Sequence, residues 1–324
     1  MKNNKNYLKI IIYFFYVFAI PCFVLCETDK NQLAFIVCTD KKIYVIDTNS
    51  EKLIKTAGPF EELGHPSSID IDSKNGILYI SNEHARRQIS QYGIIGISIE
   101  KMEVIKRIKL DSDTPEHGSP EVYQIRYSPE GIIYAGYYNP KHNKLTTAIN
   151  PDSGEIMFAS DIPIDQESIF SSDGKKMVAI WPGGKRGDKT WVPGVALYED
   201  MQDESKKKVQ EGDKIFTDGN GLNPPWEKLK LPLLVIEAGV MKSINRLTGK
   251  MIYEINLESL NSFRFNNYMI YIPLCAVTSD GNKALITFNC NDKKSYCAII
   301  NLKDREINTM IEIGAGPTNV VLDK

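Results

Sequence analysis

Histidine and tryptophan are scarce in this chain, with four and three residues in 324. No Cys-x-x-Cys pair occurs, so dithiol redox and zinc-ribbon chemistry has no motif to rest on. The haem-attachment pattern Cys-x-x-Cys-His is missing as well. There is no Gly-x-Ser-x-Gly nucleophile turn, and no glycine-rich phosphate loop between a strand and a helix. Neither sign of charge dominates: 39 Lys and Arg stand against 41 Asp and Glu, a formal charge of −2. That balance supplies no footprint for nucleic acid. Helical periodicity is nearly absent too, apart from a charged segment near 199–211. What remains is an ordinary globular composition, 42% hydrophobic and 25% charged, with enough length for a large core. At about 150 residues per domain the length suggests two domains, although closed β architectures run longer as one.

The first 26 residues read as an export signal. Lys2, Lys5 and Lys9 precede the apolar run Ile10–Leu25, which Pro21 interrupts near its end. Val24 and Cys26 fit the positions before a cleavage site. The expectation is a signal peptide over 1–26 and one domain over 27–324, in a periplasmic or secreted protein. An uncleaved anchor and a lipoprotein are the alternatives; Leu25 is too large for a lipobox. Removing the leader takes three lysines and no acid, so the formal charge moves from −2 to −5. Nothing beyond the leader calls for a membrane.

Four cysteines follow: Cys38, Cys275, Cys290 and Cys297. An even number in an oxidising compartment suggests disulfides. Cys290 and Cys297 flank Asn-Asp-Lys-Lys-Ser-Tyr between two apolar runs, so a Cys290–Cys297 disulfide across a hairpin is expected. Cys38 and Cys275 then pair or stay free.

A repeat runs through the chain from Gln32 onward. One turn recurs as Asp72–Gly76, Ser128–Gly131, Ser171–Gly174 and Ser279–Gly281, each followed by an apolar strand. A second recurs as VIDTNSEKL (45–53), AINPDSGEI (148–156), SINRLTGKM (243–251) and IINLKDREI (299–307), with looser copies at 96–104 and 196–204. Their alignment puts Asp47, Ser98, Asn150, Tyr198, Asn245 and Asn301 in register, 47–56 residues apart. Asp and Asn there bond their own backbone and start turns; they are not a catalytic carboxylate set. Four strands per repeat predict an all-β fold: a single β-propeller of four-stranded blades, six counted and a seventh left open. The first copy lacks its innermost strand, and the C-terminal PTNVVLDK (317–324) is the strand that would close the ring from the other end of the chain.

With these residues in view, GAGPTNVVLDK followed by YVID-type third strands resembles the YVTN family of propeller repeats. The run SSDGKKMVAIWPGGKRGDKTWVPGVALYEDMQDESKKK (171–208) resembles the β-subunit of quinohaemoprotein amine dehydrogenases. That resemblance implies a non-catalytic propeller subunit with haem and quinone cofactors on partner subunits and none on this chain. The family's seven blades differ from the six counted here.

By strand order, one end of the ring gathers all four histidines, His65, His84, His117 and His142. The loop 181–194 opens at the same end with Trp181, Lys185, Arg186 and Trp191, and the segment holding Trp226 joins it. This face is the candidate site for a protein partner or ligand, with Trp and Arg as anchors. The bland reading is that histidines simply favour loops. No spacing argues for a metal site or assigns catalytic residues. The functional expectation is therefore an exported binding or scaffold subunit bound to other protein subunits, as in an amine-dehydrogenase-like complex. Catalysis by this chain alone is not expected. The alternative is a metal-dependent propeller hydrolase or lactonase working at the central opening.

Overall fold

The computed structural model describes residues 32–83, 92–110, 122–139, 144–160, 162, 164, 168–171, 173–181, 184–186, 189–191, 194–202, 207–211, 233–237, 240–245, 251–257, 275–289 and 294–323. These residues hold strands and turns and no helix. The charged segment near 199–211 is no exception, since 207–211 is a strand.

Strands Leu33–Cys38 (β1), Ile43–Asp47 (β2) and Lys52–Ala57 (β3) form the outer part of blade I. Blade II is His65–Asp72 (β4), Ile77–Glu83 (β5), Ile94–Ser98 (β6) and Val104–Ile108 (β7). Blade III is Gln124–Tyr127 (β8), Ile133–Asn139 (β9), Lys144–Ile149 (β10) and Ile156–Ser160 (β11). Blade IV starts with Ile169–Phe170 (β12) and Met177–Trp181 (β13). A ribbon, Gly184–Arg186 (β14) and Lys189–Trp191 (β15), comes next, then Gly194–Tyr198 (β16) and Lys207–Glu211 (β17). Blade V shows Leu233–Glu237 (β18), Val240–Ile244 (β19) and Met251–Asn256 (β20); blade VI is Cys275–Val277 (β21), Lys283–Asn289 (β22), Ser295–Asn301 (β23) and Glu306–Ile313 (β24). Pro317–Leu322 (β25) ends the chain.

The sheet order is sequential within blades, except that β25 pairs with β1 to give β25-β1-β2-β3. This is the topology of a propeller closed by its C-terminal strand, with six blade sheets among the described residues. The seam is zipped by backbone. Val320 stands opposite Ile36 and Leu322 opposite Ala34. Asp323 N–H donates to Leu33 O at 2.8 Å, and Gln32 Nε2 to Asp323 O at 2.7 Å.

The alternation of apolar residues explains why sheets stack as blades. In β1, Phe35 and Val37 face blade II, packing with Ile69, Leu78 and Ile80. Ala34, Ile36 and Cys38 face the other way, against Leu285, Cys297 and Ile299 of blade VI. A strand buried on both faces stands between two neighbours. Similar clusters join II to III, III to IV and V to VI.

The turns are built as the repeat predicts, with one shift of register. Asp47 Oδ1 accepts N–H groups of Asn49 and Ser50, both at 2.9 Å. Asn150 and Asn301 do the same for Asp152–Ser153 and Lys303–Asp304. In blade IV the acceptor is Asp200, bonded by Gln202 N at 2.9 Å, and not the aligned Tyr198, which is buried. In blades I, II, III and VI the chain turns left-handed four residues after the capping position, at Glu51, Met102, Gly154 and Arg305. Glycine stands at only one of these four, so the turn's hydrogen bonds impose a φ that side chains resist.

Just past this turn, each outermost strand except β17 carries one extra residue. The bulge residues are Ile54, Ile105, Met157, Ile252 and Asn308. The first four are about half exposed. Asn308 Nδ2 instead donates to Glu51 Oε1 of blade I at 3.1 Å.

Glu51 is a second lock on the seam. Lys283 Nζ lies 2.7 Å from its Oε1, and Thr309 Oγ1 donates to its Oε2 at 2.7 Å. Burial pushes this carboxyl up, but the hydrogen bonds from Lys283, Thr309 and Asn308 outweigh that and hold it below its ordinary value of 4.5. A carboxyl with a lowered folded pKa stabilises above the unfolded pKa, and that stability is lost as pH falls through the folded value. Glu51→Gln is therefore expected to lower stability by a constant amount above about pH 5.5, with the difference closing as pH falls below about 4. Urea denaturation across that range measures it.

The expected Cys290–Cys297 disulfide finds no support. Cys297 carries a free, buried thiol. Its cross-strand partner in the β22–β23 hairpin is Thr287, and Asn289 pairs with Ser295. Cys290 lies outside the described residues. In this register the residue facing Cys297 is Thr287, three positions before Cys290 in sequence.

Candidate functional site

Antiparallel blades have two unlike ends. At one end, first strands meet second and third strands meet fourth. These are the capped turns. Ser171 and Thr278 head matching networks: each hydroxyl donates to Asp173 or Asp280 at 2.5 Å and accepts the N–H of Lys176 or Lys283 at 3.0 Å. Gly174 and Gly281 then take the positive φ.

At the other end, second strands lead to third strands and each blade leads to the next. His65 opens β4 there, opposite Glu83 at the end of β5. Trp181 closes β13 at the same end, opposite Gly194. Between them in sequence the loop 181–194 is no simple loop: it folds into the β14–β15 ribbon, pairing Gly184 with Trp191, Lys185 with Thr190 and Arg186 with Lys189. The structure thus puts His65, Trp181, Lys185, Arg186 and Trp191 at one end of the ring. Blades II and IV are not neighbours, so the five share an end without forming one contact set. His84, His117, His142 and Trp226 lie outside the described residues.

His65 is half-buried, and its Nδ1 is buried without a hydrogen-bond partner. Beside it, Asn82 ties several segments together. Its Oδ1 accepts Gly64 N–H at 3.1 Å, and its Nδ2 donates to Tyr92 O at 3.0 Å. Its carbonyl accepts Val122 N–H at 3.1 Å. Nearby, Arg107 donates to Glu62, and that hydrogen bond holds the Glu62 carboxyl below its usual range.

Sequence reasoning missed the polar lining of the innermost strands. Ser67 Oγ donates to Val122 O at 2.6 Å. Ser68 Oγ accepts Ile125 N–H at 3.3 Å, and Asp70 Oδ2 accepts Tyr127 N–H at 2.8 Å. Arg126 stands 3.7 Å from the same carboxylate. The innermost strand of a blade has a free edge, and here β4 side chains satisfy the edge of β8. The signal was visible as polar residues inside strands, in HPSSIDID and QIRY. These groups hold blades II and III together, which is a structural role.

The buried thiols of Cys38 and Cys297 offer no nucleophile. Burial pushes Cys297 up to about 12. Burial raises Cys38 further, with Asp40 adding to the effect. A thiol without thiolate at neutral pH is inert. Among the described residues no group of three or more His, Cys, Asp and Glu side chains is placed to hold a metal ion.

No protein-family profile matches the chain, and no curated protein matches it by sequence. Solved structures overlap it loosely. The dihydro-heme d1 dehydrogenase NirN, in complex with DHE, shares 11% identity at a TM-score of 0.44, over 90% of this chain and 75% of that one. TolB from Acinetobacter baumannii shares 12% at 0.48, over 90% and 66%. A putative 6-phosphogluconolactonase from Bacteroides fragilis NCTC 9343 shares 12% at 0.43, over 91% and 99%. Overlaps at this level carry no argument about chemistry, and the propeller stands on its own sheet topology.

Proposed function

We propose that this chain is an exported propeller that binds other protein subunits through the connection end of its ring and has no catalytic role of its own. The observation that supports this is the asymmetry of the two ends. Among the described residues, one end is finished with short turns whose side-chain acceptors bond backbone within the turn. The other carries the long connections and a ribbon that adds strands outside any blade sheet. Chain committed beyond the core is where propellers and other rigid scaffolds place recognition. The finer reading is the propeller subunit of an amine-dehydrogenase-like complex, with haem and quinone on partner subunits. It rests on the resemblance over 171–208, within which the ribbon falls.

Replacing Gly184–Trp191 by a short Gly-Ser link tests the proposal. Affinity capture from the native host is expected to retain a partner with the parent chain and at least about tenfold less with the variant, while both melt at the same temperature. A haem absorption band in the captured fraction supports the finer reading. A parent chain that elutes alone and colourless overturns both.

A further inference from the structure

We propose that Asn75, in the turn between β4 and β5, is a site of spontaneous covalent change: its side-chain amide is lost as ammonia, aspartate or isoaspartate is left behind, and the junction of blades II and III loosens. Asn75 is exposed, and the residue after it is glycine. No atom lies within 4 Å of the place where a side chain on Gly76 would begin, so solvent reaches this backbone freely. Other turn glycines are tied. Gly131, Gly154, Gly174 and Gly281 donate their N–H groups to the carbonyls of Ser128, Asn150, Ser171 and Thr278 at 2.8–2.9 Å. Among the described residues, the N–H of Gly76 has no such carbonyl. A nitrogen that need not first give up a hydrogen bond is the readier nucleophile. Asn75 is also the one asparagine followed by glycine among the described residues.

Hydroxide removes the Gly76 amide proton, and the nitrogen closes on Asn75 Cγ to form a five-membered succinimide. The Cγ–Nδ2 bond breaks, and ammonia leaves with a proton returned by water. Water then opens the ring. Cleavage of the new nitrogen–Cγ bond gives aspartate. Cleavage of the original backbone bond gives isoaspartate, with one extra methylene in the main chain. Water is the only reagent consumed, and nothing is oxidised or reduced. The turn is built around the group that is lost. Asp72, only 2% exposed, accepts Asn75 N–H on Oδ1 at 3.0 Å and Asn75 Nδ2 on Oδ2 at 2.8 Å. The same carboxylate is hydrogen-bonded by the Tyr127 hydroxyl of blade III. The Tyr127 ring stacks on Tyr79 of blade II, with centroids 5.4 Å apart. A carboxylate at position 75 replaces a donor with a like charge beside Asp72. The group that links this turn to blade III then loses a partner and gains a repulsion.

The test incubates the full chain in mildly alkaline buffer and follows residue 75 by peptide mass mapping. A gain of about one mass unit at Asn75 is expected, with isoaspartate detected by enzymatic methylation, and the conversion should quicken as pH rises because the amide proton must leave. Asp173→Asn places the same Asn-Gly pair in a turn whose glycine N–H is bonded and whose glycine packs against Glu130. Asparagine at 173 is expected to convert at least about fivefold more slowly than Asn75 in the same molecule. Asn75→Gln should show no conversion at this position and keep its melting temperature through the incubation. Asn75→Asp, which makes the aspartate product directly, is expected to melt about 2–5 °C below the parent. An unchanged Asn75 by the time a free peptide of residues 70–80 has converted completely would overturn the inference. Equal rates at positions 75 and 173 in the Asp173→Asn chain, or equal melting of Asn75→Asp and the parent, would do the same.

Discussion

A chain ending at Ile313 is expected to lose its cooperative unfolding transition. The truncation removes β25 and leaves β1 as the innermost strand of blade I. Ala34 to Cys38, all fully buried in the intact ring, then present an open edge. Val320, Val321 and Leu322 leave the clusters on both faces of blade I. At up to about 2 kcal/mol for each of these three apolar side chains, the loss approaches roughly 6 kcal/mol before any backbone hydrogen bond is counted. Total stabilities of about 5–15 kcal/mol leave little after such a loss. Near-ultraviolet circular dichroism and a thermal melt read the result. A synthetic peptide of residues 314–324 added in trans should restore part of the transition. A truncated chain that melts sharply, near the parent temperature, would show that the ring does not depend on its seam.

The second large effect is expected at the centre of the ring. Asp70→Ala should lower stability by about 3 kcal/mol, in the range for removing one partner of a mostly buried ion pair. The side chains of Asp70 and Arg126 are only 13% and 16% exposed. Their removal from water is tolerable because each faces the other and because Asp70 also takes the Tyr127 N–H. Removing the carboxylate strips Arg126 of that counter-charge and leaves a backbone donor without its acceptor. Adding Arg126→Met should recover part of the loss, since an apolar side chain needs no partner there. Chemical denaturation of the two single variants and the double variant measures the coupling. A single-variant loss under about 0.5 kcal/mol would make the pair incidental and reopen Asp70 as a group held for a ligand.

Much of this architecture can be read from the sequence because it is written in local terms. Asp47, Asn150 and Asn301 bond backbone two and three residues away, and such contacts leave a spaced, repeating signature. The closing strand was readable for a related reason: PTNVVL fills the one place in the repeat that the first copy leaves empty. Features set by pairing across strands were not readable. Nothing near Cys297 announces that Thr287 will face it. The ribbon inside 181–194 has strands of three residues, too short to show alternation. Tyr198 aligned with capping residues because the blade IV turn starts two residues later, at Asp200. Among the candidate site residues, the chain order alone placed His65 and the ribbon at a common end. The Ser67, Ser68 and Asp70 lining needed the neighbouring blade to be seen, since its partners are more than 50 residues away.

The bulges on the outermost strands bear on how many of these rings can share a small volume. A propeller turns its inner edges toward its own axis and leaves its outer edges as ladders of amide and carbonyl groups facing outward. On such ladders, molecules at high concentration stack into fibrous aggregates. In blades I, II, III, V and VI the extra residue breaks the ladder one step after the turn, so a second molecule cannot zip along it. The outer strand of blade IV has unbroken register with β16, from Tyr198–Lys207 to Gly194–Glu211. It is also the strand that reads Lys-Lys-Val-Gln-Glu, with charge where its neighbours have apolar residues. Among the described residues one outer edge carries lysines and five carry a bulge, and both devices work against edge-to-edge pairing between rings.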